Sequence, residues 1–339
     1  MKVVKIPTGY LFSDKYSKGE LETLSIGDYG KSKNVKADFL GLTNPINGVP
    51  NDYCMPLQEK WVITVSTQFS CNMSCRFCDV PNIPFKGNCT FDDLNKQLYS
   101  AIRMFPNVKY TERLNLHLAR MGDFSFNPAT LDWVEWLYPN KKTIQEELGL
   151  RIEVLHPVFT TSSPNFLKQY EERMMRVCDI KNNLYNGQAG LQLSINSTNE
   201  EQRQHMFNGK SLTLKEIAKI TDKFPTPIGR KYCLNFAYST DYEVDGNVIK
   251  ELFDPNKFMC KITPIHNNTA CRENNIQTLD GYTSYRPYEK PEESLKDAGF
   301  DVLVFVPSMD EEQGAVTCGN VILGGSKVIS SDVHKIEGV

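Results

Sequence analysis

Seven short apolar, β-branched runs recur along this chain with helix-like stretches between them, and that alternation constrains its fold more than any other feature. The runs are WVITVSTQ at 61–68, RLNLHLAR at 113–120, RIEVLHPVFT at 151–160, GLQLSIN at 190–196, KYCLNFAY at 231–238, MCKITPI at 259–265 and DVLVFVP at 301–307. The intervening stretches 91–104, 165–177, 212–222, 248–253 and 292–298 read as helices. The first starts after Thr90, a competent N-cap, and carries Asp92 and Asp93 in its first turn, where the helix dipole favours acids. Strand–helix alternation predicts βαβ units and a parallel sheet. Six or so such units closing partway make an open α/β barrel, a partial (β/α)6 architecture resembling a TIM barrel, although 339 residues also admit two domains. The stretch 19–26 (GELETLSI) reads as a further strand, and 27–60 is rich in Gly, Asn, Asp, Lys and Pro. The expected organisation is an N-terminal β extension with a long loop over 1–60, a barrel over 61–325 and a C-terminal tail over 326–339.

Composition narrows the function classes. The chain is 40% apolar and 23% charged, as in ordinary globular proteins, and its core needs no disulfide staples. A net charge of −3 and a pI near 6.0 argue against broad, nonspecific nucleic-acid binding but leave a local basic patch open. The start, MKVVKIPTGY, has no apolar signal region, and no run approaches the roughly 18 apolar residues of a membrane span. The expectation is a cytoplasmic protein with no membrane partner. In that reducing setting the ten cysteines point to metal binding or catalysis rather than disulfides.

Three of them, Cys71, Cys75 and Cys78, form C-x3-C-x2-C in the polar stretch F-S-C-N-M-S-C-R-F-C that follows the first run. Structural zinc wants four ligands, usually from two separated pairs, and no second pair exists; ferredoxin-type clusters also take a fourth Cys. Three thiolates on a four-iron cluster leave one iron open, which suits a catalytic metal. With Phe77 before the last Cys, after the first strand of an α/β barrel, the motif resembles the radical S-adenosylmethionine superfamily. That resemblance implies a 4Fe-4S cluster on Cys71, Cys75 and Cys78. It implies that the open iron chelates the amino and carboxylate groups of S-adenosylmethionine, with Phe77 beside the cofactor. It also implies reductive cleavage to a 5′-deoxyadenosyl radical, fed by a reductant such as flavodoxin or ferredoxin.

Several further stretches, collinear over roughly residues 9–325, resemble the dual-cysteine rRNA adenine methyl synthases, the RlmN/Cfr family. Met121-Gly122-Asp123 matches the family's Met-Gly-Glu, with Asp for Glu, and Thr160-Thr161-Ser162-Ser163 matches its Ser-Thr-Ser-Gly. Leu193-Ser194-Ile195-Asn196, followed by Asn199 to Arg203, is similar to Ser-Leu-His and a downstream Asp-x-x-Arg. Cys260 to Ile265 resembles a strand in which Thr263 replaces Asn. The resemblance thereby makes Gly122, Asp123, Ser162, Ser194, Asn196 and Thr263 candidate cofactor contacts. Near the C-terminus, Gly314 to Asn320 resembles Ala-Ala-Cys-Gly-Gln, whose Cys the family methylates and uses as a methyl carrier. Cys318 is the matching position. Leu21-Glu22-Thr23-Leu24 resembles Val-Glu-Thr-Val, which implies proton transfer by Glu22.

The chain departs from the family at two places. The second catalytic Cys, seven residues before the first cluster Cys, is here Thr64, which cannot form a disulfide; Cys54 and Cys89 are the nearest thiols in sequence. The N-terminal RNA-binding domain has no counterpart before the Glu22 strand, which shifts the expected substrate from ribosomal RNA toward a smaller RNA, a nucleotide or a peptide. Three readings stay open. They are methylation of an unactivated carbon through Cys318, direct hydrogen abstraction from a peptide or metabolite, and an iron–sulfur protein without catalysis.

Overall fold

The computed structural model describes residues 1–6, 8–28, 56–278, 286–306, 314–317, 319–327 and 333–335. One sheet of eleven strands organises it, in the order β12-β11-β10-β9-β8-β7-β4-β3-β2-β1-β13. Its parallel part runs through β4 (Trp61–Val65), β7 (Tyr110–Leu118), β8 (Arg151–Thr161), β9 (Gly190–Ser194), β10 (Tyr232–Tyr238), β11 (Phe258–Pro264) and β12 (Asp301–Val304). These seven strands neighbour one another in chain order, so each crossover steps the same way, as the alternation predicted; the count exceeds the six or so units expected by one. The pairings from β4 to β12 are all parallel.

The β extension is an antiparallel meander of β1 (Lys2–Ile6), β2 (Gly9–Tyr16) and β3 (Gly19–Gly27), joined to the barrel strands where β3 pairs with β4. The first two strands carry weaker sequence signals than 19–26, and β13 (Val333–Lys335) adds an outer edge to β1. A small pair, β5 (Gln68–Phe69) with β6 (Gly87–Asn88), frames the cysteine stretch. Helices fill the connections: α1 (Phe91–Arg103), α2 (Pro128–Leu148), α3 (Tyr170–Asp179), α4 (Glu200–Met206), α5 (Leu214–Thr221), α6 (Gly246–Leu252), α7 (Thr269–Glu273) and α8 (Arg286–Asp297). Helix α1 starts as expected, with a capping box between Thr90 and Asp93.

Helix α2 lies in a stretch, 128–148, that the sequence reading did not mark as helical. Pro128 sits at the start, where a missing N–H costs nothing, behind the Asn127 cap. Pro139 lies inside the helix, and the next residue, Asn140, donates its side-chain amide to the Trp136 carbonyl at 2.9 Å.

The two sheet faces differ in chemistry. Leu114, Leu116, Leu118, Leu191, Leu193, Leu234, Phe236, Cys260 and Ile262 face the helices within the main core. The alternate residues face inward and are largely polar: Thr64, Asn115, His117, Gln192, Ser194, Asn235, Lys261 and Thr263. An apolar outer face and a polar inner face give a barrel-like sheet whose interior can take a polar ligand. Among the described residues no helix is long and apolar enough to cross a membrane. Leu116, fully buried in the C-terminal half of β7, is a direct probe of this core. Leu116→Ala is expected to lower stability by about 3 kcal/mol, read from urea unfolding followed by circular dichroism.

Candidate functional site

The site lies at the C-terminal ends of the parallel strands, where α/β sheets build their ligand loops. The cysteine loop follows β4 and β5, and two residues in it, Ser70 and Ser74, take positive φ. None of the three cysteines forms a disulfide, and all three are half-buried. Cys71 Sγ accepts from the Met73 amide at 3.5 Å, and burial pushes its thiol up to about 12. A bound metal would overcome that rise, since a coordinating thiol loses its proton outright. A cavity of about 310 Å³ lies against Cys75 and Cys78, lined also by Arg76 and Asn274. Among the described residues no three His, Cys, Asp or Glu side chains converge tightly enough for a single metal ion. A four-iron cube spreads its three thiolates over separate irons, and three soft thiolates on one short loop are the donor set such clusters use. Phe77 stands edge-on to Phe207 at 5.9 Å, in a small apolar cluster with Met206 and Ile265. Its carbonyl accepts from Asn268 Nδ2 at 2.9 Å.

The turn after β7 touches the start of this loop. Met121 carbonyl accepts from Thr67 N at 2.7 Å and Gln68 N at 3.2 Å. Gly122 has φ +90, and a Cβ there would stand 2.6 Å from Gln68 Cβ, so only glycine allows the approach. Asp123 is 4% exposed and its carboxylate is used within the chain. Oδ1 accepts from Ser125 N and Oγ at 2.9 and 2.7 Å. Oδ2 accepts from Thr161 Oγ1 and Ser162 N at 2.9 and 2.7 Å. Burial outweighs these donors and lifts the carboxyl above the usual carboxylate range. Asp123 thus ties the end of β7 to the end of β8 and sets the backbone of Ser162, whose side chain is half-buried.

Asn196, after β9, takes φ +65 and is 1% exposed. Its Oδ1 accepts from Ala237 N at 2.9 Å, whereas Nδ2 is buried with no hydrogen-bond partner. Such an orphan donor fits a ligand oxygen at the strand ends. Ser194 carbonyl accepts from Arg203 Nη1 at 2.9 Å, and the buried Arg203 also reaches Ile195 and Leu212 carbonyls. Arg203 therefore organises the β9 turn. Thr263 donates to Asn235 Oδ1 at 3.2 Å on the inner face.

Glu22 and Arg120 form a buried ion pair in the site, and Arg120 is a residue that sequence reasoning missed. Arg120 Nη2 and Nε donate to Glu22 Oε2 at 2.8 and 3.2 Å, with both side chains buried. Arg120 Nη1 donates to Ala315 carbonyl at 2.9 Å, and Glu22 Oε1 accepts from Leu323 N at 2.5 Å. The pair so grips both ends of the C-terminal segment. Val316 and Ile322 of that segment cover Val4, Ile6, Ile26 and Val62 on the inner face of the extension. The same segment is bonded to the cysteine loop. Asp79 N donates to Gly319 carbonyl at 2.9 Å and Asn268 Nδ2 to the same oxygen at 3.2 Å. Ser326 Oγ donates to Asp79 Oδ2 at 2.7 Å, and Asn82 Nδ2 to Gly324 carbonyl at 3.0 Å. Cys318 lies outside the described residues, as does Cys54. The immediate neighbour Gly319 is bonded one residue from Cys78.

Thr64 lies on the inner face, paired with Leu24 on one side and His117 on the other. Cys89 faces the other way. It is 2% exposed in the main core, donates to Ser66 carbonyl at 3.5 Å, and burial raises its thiol. That placement removes it from the thiols available near Thr64.

No family model matches the chain. It is 22% identical over 196 residues to the dual-specificity RNA methyltransferase RlmN of Sulfurovum sp. (strain NBC37-1). It is 24% identical over 226 residues to dual-specificity RNA methyltransferase RlmN 2 of Myxococcus xanthus (strain DK1622). The alignments cover 58% and 63% of this chain but 50% and 54% of the relatives, so it spans about half their length. Its fold is similar to the crystal structure of a radical SAM methyltransferase from Sphaerobacter thermophilus, with a TM-score of 0.63 and 16% identity over 95% of this chain and 80% of that one. Together these support an RlmN-like, radical SAM relationship.

The buried pair yields a test. Glu22→Gln and Arg120→Gln each leave an uncompensated buried group and are expected to cost about 3–5 kcal/mol. The double variant should lose less than the sum, measured as a coupling energy from urea unfolding.

Proposed function

We propose that this protein is a radical S-adenosylmethionine methyltransferase that methylates an unactivated carbon of an adenine-like base, in RNA or in a nucleotide, using Cys318 as methyl carrier. The radical SAM relatives imply a 4Fe-4S cluster and S-adenosylmethionine, and together these supply a 5′-deoxyadenosyl radical when bound. The observation that carries the reading is the bonding of Gly319, Gly324 and Ser326 to Asp79 and Asn82 at the end of the cysteine loop, while Arg120 and Glu22 hold Ala315 and Leu323. A carrier must sit beside the radical source, and the bond from Asp79 N to the Gly319 carbonyl, next to Cys318 in the chain, supports that arrangement.

Cys71, Cys75 and Cys78 would hold the cluster. Gly122 keeps backbone close to the loop, Asn196 Nδ2 offers an unpaired donor, and Ser162, Ser194 and Thr263 complete the polar rim. Asp123 supports that rim by fixing Ser162 rather than by presenting a free carboxylate. Glu22 holds the carrier segment through Leu323, and proton transfer by Glu22 would require its release from Arg120. A reductant such as flavodoxin or ferredoxin would approach through the cavity against Cys75 and Cys78. The fold fits a partial barrel at 61–325 with the C-terminal segment as part of the site, and the expected setting is the cytoplasm.

A second reading, direct hydrogen abstraction without a methyl carrier, is favoured by Thr64, which cannot supply the second thiol. One assay separates the two. With reconstituted protein, dithionite and S-adenosylmethionine, the parent is expected to form 5′-deoxyadenosine, and Cys75→Ala to lose it by at least about a hundredfold. Methyl transfer to RNA or nucleotide, followed by mass spectrometry of nucleosides, should vanish in Cys318→Ala. Product formation surviving that change supports direct abstraction, and no cleavage by the parent overturns the radical reading.

A further inference from the structure

Two phenylalanines on neighbouring turns at the strand ends belong neither to the hydrophobic core nor to the cysteine loop. Phe126 follows Asp123 by three residues after β7, and Phe166 follows Ser162 by four after β8. Their rings stack with centroids 5.1 Å apart and planes 30° apart. Phe166 is 49% exposed and Phe126 is half-buried. A single exposed apolar residue is ordinary. A stacked aromatic pair at the rim of a site is less so, because it leaves aromatic surface on which a third ring can stack. Both rings stand on fixed backbone. The Phe126 carbonyl accepts from Asn88 Nδ2 at 2.8 Å, which ties its turn to the β5–β6 pair. Beside Phe166, Pro164 pairs with Ser211, and Asn165 donates from its amide to the Lys210 carbonyl and from Nδ2 to the Gly209 carbonyl, each at 2.9 Å.

Two cations adjoin the pair. Lys210 Nζ stands 6.0 Å from the Phe166 ring centroid. It donates to the Asn72 carbonyl and Ser74 Oγ of the cysteine loop at 2.8 and 2.9 Å, so the aromatic rim is linked directly to that loop. Beside Phe126, Arg173 Nη1 donates to the Ser125 carbonyl. Neither Lys210 nor Arg173 makes an ion pair among the described residues. Of the acids in the first turn of α3, Glu171 pairs with Lys223, and Glu172 acts on Arg173 through space. Aromatic surface, fixed backbone and cations left unpaired by acids thus meet at one edge of the site.

We propose that the Phe126–Phe166 pair stacks an unpaired base of a single-stranded RNA, with Lys210 and Arg173 meeting the adjoining backbone phosphates. Every base has a π face, so a stacking platform tolerates sequence, and the phosphates beside it call for cations that acids have not already neutralised. An aromatic side chain of a peptide would use the rings but brings no phosphate to the cations. The chain's net charge of −3 does not oppose this, because two local cations serve the one or two phosphates that flank a single base. The inference deepens the proposed function and rests on it in one respect: a base held on this rim adjoins the base presented to the cysteine loop, which makes the substrate a strand rather than a free nucleotide.

The test is fluorescence anisotropy of a labelled single-stranded octa-adenylate RNA titrated with the full-length protein, without reductant. Saturable, salt-sensitive binding is expected. Phe166→Ala and Phe126→Ala should each weaken it at least about fivefold, the low end of the loss for one stacked base, and Phe166→Trp should keep it at the parent's level or better. Lys210→Gln should reduce the slope of log affinity against log salt by about 0.7, the contribution of one phosphate on a single strand. Tyr110→Ala, at a 39% exposed ring at the opposite end of β7, should change nothing. Thermal melting confirms that each variant is folded. No saturable RNA binding, or folded phenylalanine variants that bind like the parent, overturns the platform. A labelled phenylalanine-containing pentapeptide that binds in place of RNA, with loss in Phe166→Ala, overturns it in favour of a peptide. Methyl transfer to the oligonucleotide is scored separately. Phe166-dependent binding without methyl transfer leaves the platform standing and sinks the methylation reading, whereas methyl transfer undiminished in Phe166→Ala does the reverse.

Discussion

The buried ion pair between Glu22 and Arg120 is the constraint on which the site depends. It joins three parts of the chain that are distant in sequence: a strand of the antiparallel extension, the end of β7, and the C-terminal segment at Ala315 and Leu323. A buried pair is poor evidence of net stabilisation, because desolvation offsets much of the attraction. Its value here is positional. Each charge has hydrogen bonds left over after pairing, and both partners spend them on the backbone of the C-terminal segment. That segment must then lie across the inner face or leave a buried charge unsatisfied.

The cysteine loop is held from the other side by the same logic. Asp79 closes the loop by accepting from Ala270 N and Ser326 Oγ and donating its amide to Gly319. A Cβ at Gly324 would stand 2.2 Å from the Asp79 carbonyl, so glycine permits this contact. The loop that would carry the cluster and the segment that would carry the methyl group are therefore fixed to one another by neutral and charged hydrogen bonds, independently of any bound cofactor. Pre-arranged proximity of this kind is what transfer between two reactive groups requires.

Much of this was legible in the chain. The parallel strands were read within a few residues, because their runs are apolar, β-branched and bounded by turn residues. The resemblance carried by the cysteine spacing pointed to the radical SAM relationship that the relatives support. Helix α2 was not marked in the sequence; it carries Pro128 at its start and Pro139 in its interior. Arg120 was overlooked because a lone arginine after a strand carries no local signal; its partner is 98 residues away. Asp123 was assigned to a ligand from its motif, whereas the structure shows its lone pairs taken by Ser125, Thr161 and Ser162.

The central claim is that Cys318 serves as a methyl carrier beside the cysteine loop. The most direct measurement is peptide mass spectrometry of the purified protein after incubation with reductant and S-adenosylmethionine labelled in its methyl group. The account predicts that the peptide containing Cys318 gains the mass of one labelled methyl, lost again when substrate is added. A Cys318 peptide that stays unmodified while 5′-deoxyadenosine accumulates would contradict it.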